Sequence, residues 1–193
     1  MFKKYITVLS AAFLMLSSSN SFATDLSYTY LEITDKSSSS DDVDASLLQH
    51  ALSFEVRDNF FVAGNFTHGD YDVTSFELTV GEHSSINEST DLVSSVSYSW
   101  MRYEYLAESE NLQAFEFSVG LRSMVADKFE LNAGAAYADF SSRSPSQYLY
   151  FGAAFYATEA LSLRLNYITD EPLLSASESL ESNSISFSLR LDM

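Results

Sequence analysis

The feature that most constrains this chain is a two-residue alternation of apolar and polar side chains, repeated in segment after segment up to its last residue. In the final stretch Ile185, Phe187, Leu189, Leu191 and Met193 are apolar, while Ser184, Ser186, Ser188, Arg190 and Asp192 lie between them. A helix scatters two such sets around its axis, whereas a strand puts each set on its own face. The same pattern separates Phe115, Phe117, Val119 and Leu121 from Glu116, Ser118, Gly120 and Arg122. It also separates Phe129, Leu131, Ala133, Ala135 and Tyr137 from Glu130, Asn132, Gly134, Ala136 and Ala138. Residues 149–156 and 161–167 follow it, as do 48–56, 60–67, 75–80 and 95–100 upstream. A first strand around 26–34 is less regular, and its faces stay unassigned.

Polar turns set the strand count. Short ones fall at 57–59, 126–128 and 158–160, and a longer one at 84–91, spaced about 32 to 36 residues apart. Four such turns separate five hairpins, which predicts ten antiparallel strands, with eight as the alternative. Their lengths suit the roughly 9–11 residues of a tilted membrane strand. Connections on the opposite side, at 35–44, 68–74, 107–111, 141–147 and 169–183, read as longer and more polar. Short turns on one rim and long loops on the other are the asymmetry of an outer-membrane barrel, with the long loops outside.

The N-terminus supplies the route. Lys3 and Lys4 precede an apolar stretch, which ends in Ser21-Phe22-Ala23. This is the layout of a secretory signal peptide at 1–23, cleaved after Ala23, leaving a barrel domain at 24–193. An uncleaved anchor is disfavoured because the apolar stretch is shorter than the roughly 17–25 residues of a spanning helix. Removing 1–23 leaves eight basic residues against 27 acidic ones, a net charge of −19. Such a balance argues against nucleic-acid partners, which are held by Lys and Arg. Twelve Tyr, 15 Phe and one Trp argue against a disordered acidic chain. With no cysteine, stability must come from backbone pairing and packing.

Alternation alone also suits a soluble lipocalin-like barrel, so the decision rests on which face meets water. The polar face here is mostly Ser, Ala, Gly and Asn, with sparse charges at Glu55, Glu77, Glu116, Arg122, Glu130, Arg164 and Arg190. That is a poor exterior for a soluble protein and a workable filling for a narrow lumen. Unpaired buried ions are costly, so Arg122, Arg164 and Arg190 are expected to pair with interior carboxylates, Glu116 and Glu130 first. About eight strands give an interior just filled by side chains and about sixteen give a wide channel, so ten predict a plugged polar lumen. Aromatic residues near strand ends, including Tyr28, Tyr30, Phe60, Tyr98, Trp100, Tyr148 and Tyr167, fit interface girdles.

With its signal peptide, acidic Ser-rich loops, and segments GLRSMVADKFELNAGAAYADF and SISFSLRLDM, the chain resembles the small outer-membrane β-barrel proteins of Gram-negative bacteria, the OmpA/OmpX-like or "porin family" group. The resemblance spans the mature chain. It implies an all-β, up-and-down transmembrane barrel in the cell outer membrane, inserted by the barrel assembly machinery among outer-membrane lipid and lipopolysaccharide as a monomer. One departure concerns the end of the chain: such barrels usually finish on an aromatic residue, and this one finishes on Met193.

Little chemistry stands out. Of His50, His68 and His83, only His68 is suggestive, because His68-Gly69-Asp70-Tyr71-Asp72 lies at an outer rim where a hydrolase site could form. Adjacent polar residues there also read as a plain turn. Asp35, Asp41, Asp42 and Asp44 are hard oxygen ligands on one loop, but they lack the glycine and distal glutamate of a calcium loop. No catalytic, metal-ligating or cofactor-binding residue is assigned, and no cofactor is expected. The leading reading is a non-enzymatic structural or surface-interaction barrel acting through acidic Ser-rich loops. The alternatives are a small-solute channel or a rim-sited lipid-modifying or proteolytic enzyme.

Overall fold

The computed structural model describes residues 26–193 apart from 41–42, 58, 106–107, 143 and 170–181. The expected signal peptide at 1–23 lies outside the described residues. Ten strands form among the described residues: β1 (Tyr30–Ser40), β2 (Val43–Arg57), β3 (Phe60–Gly69), β4 (Thr74–Asn87), β5 (Thr90–Tyr105), β6 (Glu108–Ala126), β7 (Phe129–Phe140), β8 (Ser146–Tyr156), β9 (Leu161–Thr169) and β10 (Ser182–Asp192). Each pairs antiparallel with its neighbour in sequence, and β1 pairs with β10 from Tyr30↔Asp192 to Ser40↔Ser182, which closes the barrel. Closure satisfies every strand edge internally, the condition for a sheet to cross lipid.

The alternation sorts as expected. Phe117 and Leu165 are 54% and 53% exposed on the outside, whereas Ser53 and Glu130 are fully buried within. The irregular first strand resolves the same way, with Leu31 outward and Thr34 buried inside. At the end of the short turn expected at 57–59, Asn59 has φ 72°, a left-handed conformation that asparagine tolerates better than most residues.

Three readings need correction. The longer turn at 84–91 is a two-residue turn, because β4 runs to Asn87 and β5 starts at Thr90. The polar residues there pair across strands instead of looping out: Ser85 donates to Asp91 at 2.8 Å, and the Thr90 and Ser123 hydroxyls meet at 2.8 Å. The loops at 35–44 and 107–111 are mostly strand, since β1 reaches Ser40, β2 starts at Val43 and β6 starts at Glu108. A ladder beyond the apolar belt needs no apolar side chains, so periodicity cannot mark its end. Finally, Tyr28, Tyr30 and Tyr148 are not girdle residues. They turn inward because the lumen holds charged partners for them, while Phe60, Tyr98 and Tyr167 stay exposed outside. Most of the loop at 169–183 lies outside the described residues.

Candidate functional site

The most deeply buried charge in the lumen among the described residues is Glu130, which β7 carries inward near the short-turn rim. Glu130 has no exposed surface. Arg122 grips it with a fork, Nε to Oε1 at 3.0 Å and Nη2 to Oε2 at 2.8 Å, and the Tyr156 hydroxyl donates to Oε2 at 2.6 Å. Arg164 donates to Oε1 from the other side. The register explains this convergence. Glu130, Ala154 and Arg164 occupy one row across β7, β8 and β9, and the small Ala154 between them lets the guanidinium reach over. Arg122 lies opposite Asn132, one inward position along from Glu130. Each bond is charge-assisted, so the group holds together where an unpaired ion is excluded.

A second pair stands beside it. Arg190 donates from Nε to Asp192 Oδ1 at 2.7 Å, and its guanidinium lies 3.8 Å from the centre of the Tyr30 ring. The expectation that three arginines meet interior carboxylates therefore holds for Arg122 and Arg164 with Glu130. Arg190 takes Asp192 on its own strand, a partner two residues along on the same face. Glu116 is a correction: it accepts the Tyr148 hydroxyl at 2.5 Å, nearer the other end of the lumen, where its strand carries it beyond the guanidinium groups. Between the two levels lies a cavity of about 240 Å³ lined by Tyr28, Tyr30, Glu32, Tyr150, Asn132, Asn166 and the three arginines, among others. Gly120 and Gly134 make that geometry possible, because a Cβ at either would strike the Tyr150 ring or its hydroxyl.

Residues 27–29, ahead of β1, also enter the lumen. The Ser27 carbonyl accepts from Arg122 Nη1 at 3.1 Å and Arg190 Nη2 at 2.5 Å. Tyr28, 3% exposed, donates to Asp91 at 3.0 Å and stacks on His83 at 3.8 Å between centroids. Burial pushes the Tyr28 phenol well above its ordinary pKa, so it stays a donor. His83 sits between Glu55 at 3.3 Å and Asp91 at 3.6 Å. None of this was legible as a site, since the Ser27 carbonyl belongs to the main chain and carries no sequence signal.

The residues singled out at the outer rim do not come together. Asp70 accepts the Ser46 backbone N–H at 3.0 Å and shapes the turn at Asp70–Asp72. The His68 ring instead faces outward against His50 at 5.9 Å and Phe66 at 5.8 Å. Asp41 and Asp42 lie outside the described residues.

No protein-family model and no curated protein matches the sequence. Solved structures do match. The fold is similar to the NanC porin, at TM-score 0.56 and 8% identity over 84% of this chain and 100% of that one. It is also similar to an outer membrane channel from Pseudomonas putida F1, at 0.54 and 8% over 92% and 99%. The KdgM porin follows at 0.51 and 6% over 84% and 99%. With a closed ladder and an apolar exterior, the chain has the fold of an outer-membrane β-barrel. At this identity the likeness is one of fold.

Proposed function

We propose that this chain is a structural or surface-interaction barrel of the outer membrane, of the OmpA/OmpX-like kind, with a lumen that does not conduct at rest. It sits as a monomer among lipid and lipopolysaccharide after delivery by the barrel assembly machinery, and meets its surroundings through its acidic Ser-rich outer loops. The observation that supports this reading is the fully buried Glu130, ringed by Arg122, Arg164 and Tyr156 inside the lumen. With Asp192 on Arg190 and the Glu32 carboxylate 4.0 Å from Arg164, three carboxylates face three guanidiniums, which leaves no net charge to draw a solute through. The proposed role is not enzymatic, which predicts an unchanged lipid A mass on overexpression.

A second reading, a small-solute channel, draws support from the arginine-lined 240 Å³ cavity and from the fold shared with the NanC and KdgM porins. Planar-bilayer recording of the purified protein separates the two. A silent baseline is the expected result, and a steady open level overturns the resting closure in favour of the channel.

A further inference from the structure

We infer that residues 27–29 form a releasable strap that closes the short-turn end of the lumen, and that the barrel conducts when the strap is out. This rests on the resting closure proposed above and deepens it: the Glu130 cluster fills part of the lumen, and the strap closes what the cluster leaves open.

In a ring of ten strands taken in order, β6 lies opposite β1. Ser27 and Tyr28 directly precede β1, yet their partners Asp91 and Arg122 are on β5 and β6. The segment therefore turns into the lumen, its main chain held beside β1 by Ser53 and Arg190, while the Tyr28 and Arg122 side chains span the rest. It does so on the short-turn side, beyond the Tyr30↔Asp192 end of the β1–β10 ladder.

Its hold on the barrel is of a releasable kind. Backbone groups attach it near its own strand: Tyr28 C=O accepts from Ser53 Oγ at 2.8 Å, and Thr29 C=O accepts from the Met193 N–H at 3.0 Å. Across the lumen the grip is by side chains, one of which, Arg122, donates to the Ser27 carbonyl at 3.1 Å. Tyr28 stacks on His83 and on Phe61, whose ring occupies the space that a Cβ on Gly81 would need, and Arg122 lies 4.7 Å over its face. No ladder joins the strap to β5 or β6. The wall charges, by contrast, keep their own partners with the strap gone: Arg122 and Arg164 retain Glu130, and Arg190 retains Asp192. Tyr28 also lines the 240 Å³ cavity, so its withdrawal joins that cavity to the water at the short-turn rim.

The test uses the full barrel in planar bilayers, with heat-modifiable gel migration as the check of folding. Tyr28→Ala removes the stack, the cation–π contact and the Asp91 bond together. The expected result is a heat-shifted band as in wild type, with steady conductance steps where the wild type has none. His83→Ala, which removes the ring against Tyr28 and the contacts with Glu55 and Asp91 but leaves the Tyr28–Asp91 bond, is expected to give briefer openings. A folded but silent Tyr28→Ala barrel overturns the strap and leaves resting closure standing. A wild type that already conducts overturns both. Loss of the folded band in both variants also overturns the strap, because the segment would then be part of the barrel's framework.

Discussion

The two ends of the lumen use different means to keep polar groups inside a membrane barrel. At the short-turn end Glu130, Ser162, Ser188 and Arg190 are 0–2% exposed, and charges are matched by forks, stacked rings and the Ser27 carbonyl. Toward the long-loop end the inward side chains bond in small groups of a single carboxylate each: Tyr148 donates to Glu116, while Glu77 accepts from Asn65 at 2.6 Å and from Thr79 at 3.4 Å, with Ser97 against Thr79 at 2.8 Å. Glu116, Glu77 and Tyr148 keep part of their surface accessible. A cluster of mutually dependent ions concentrates closure at one end, whereas a bond to a single carboxylate at the other can be lost without leaving an opposite charge unpaired.

The largest effect is expected at Glu130. Glu130→Ala leaves two guanidiniums without their shared carboxylate and is expected to cost roughly 3–5 kcal/mol, read as a lower temperature for loss of the heat-shifted gel band. Next comes the contrast across the wall. Phe117→Arg sets a charge against lipid and is expected to cost roughly 2–4 kcal/mol, whereas Ser118→Arg on the luminal face costs much less; urea titration in detergent or liposomes compares them. Equal damage from both contradicts the assigned faces. A smaller effect is expected at Asn59, where Ala in a left-handed conformation costs about 1 kcal/mol, measured in the same titration. Tyr148→Phe is expected to cost about 1 kcal/mol or less and to leave conductance unchanged, since only one pair at the accessible end is lost. A large destabilisation from Tyr148→Phe erases the distinction between the two ends.

How much could be read beforehand follows the same division. The belt was legible because lipid outside and a narrow lumen inside demand opposite side chains at every step, so Phe115 to Arg122 reads unambiguously. The count of ten followed from turns such as 57–59. Strand ends were not legible where Ser and Asp residues pair beyond the lipid, as at Ser37 to Ser40, because backbone ladders tolerate them. The Glu130 cluster was partly legible, since parity put Arg122, Arg164 and Glu130 on one face. Register was not, and it is register that sends Glu116 to Tyr148 and brings Arg164 to Glu130 across Ala154. The strap was invisible because it bonds through its own carbonyls, and its partners come from strands brought together only by closure of the barrel.

The central claim, a lumen sealed at the short-turn end and accessible from the other, is tested most directly by thiol labelling. The chain has no cysteine, so single replacements report cleanly. Tyr148→Cys and Ser188→Cys barrels, each reconstituted in liposomes, receive a small charged methanethiosulfonate from the long-loop side. Fast modification at 148 with little or none at 188 is the predicted result. Equal rates at the two positions contradict the account.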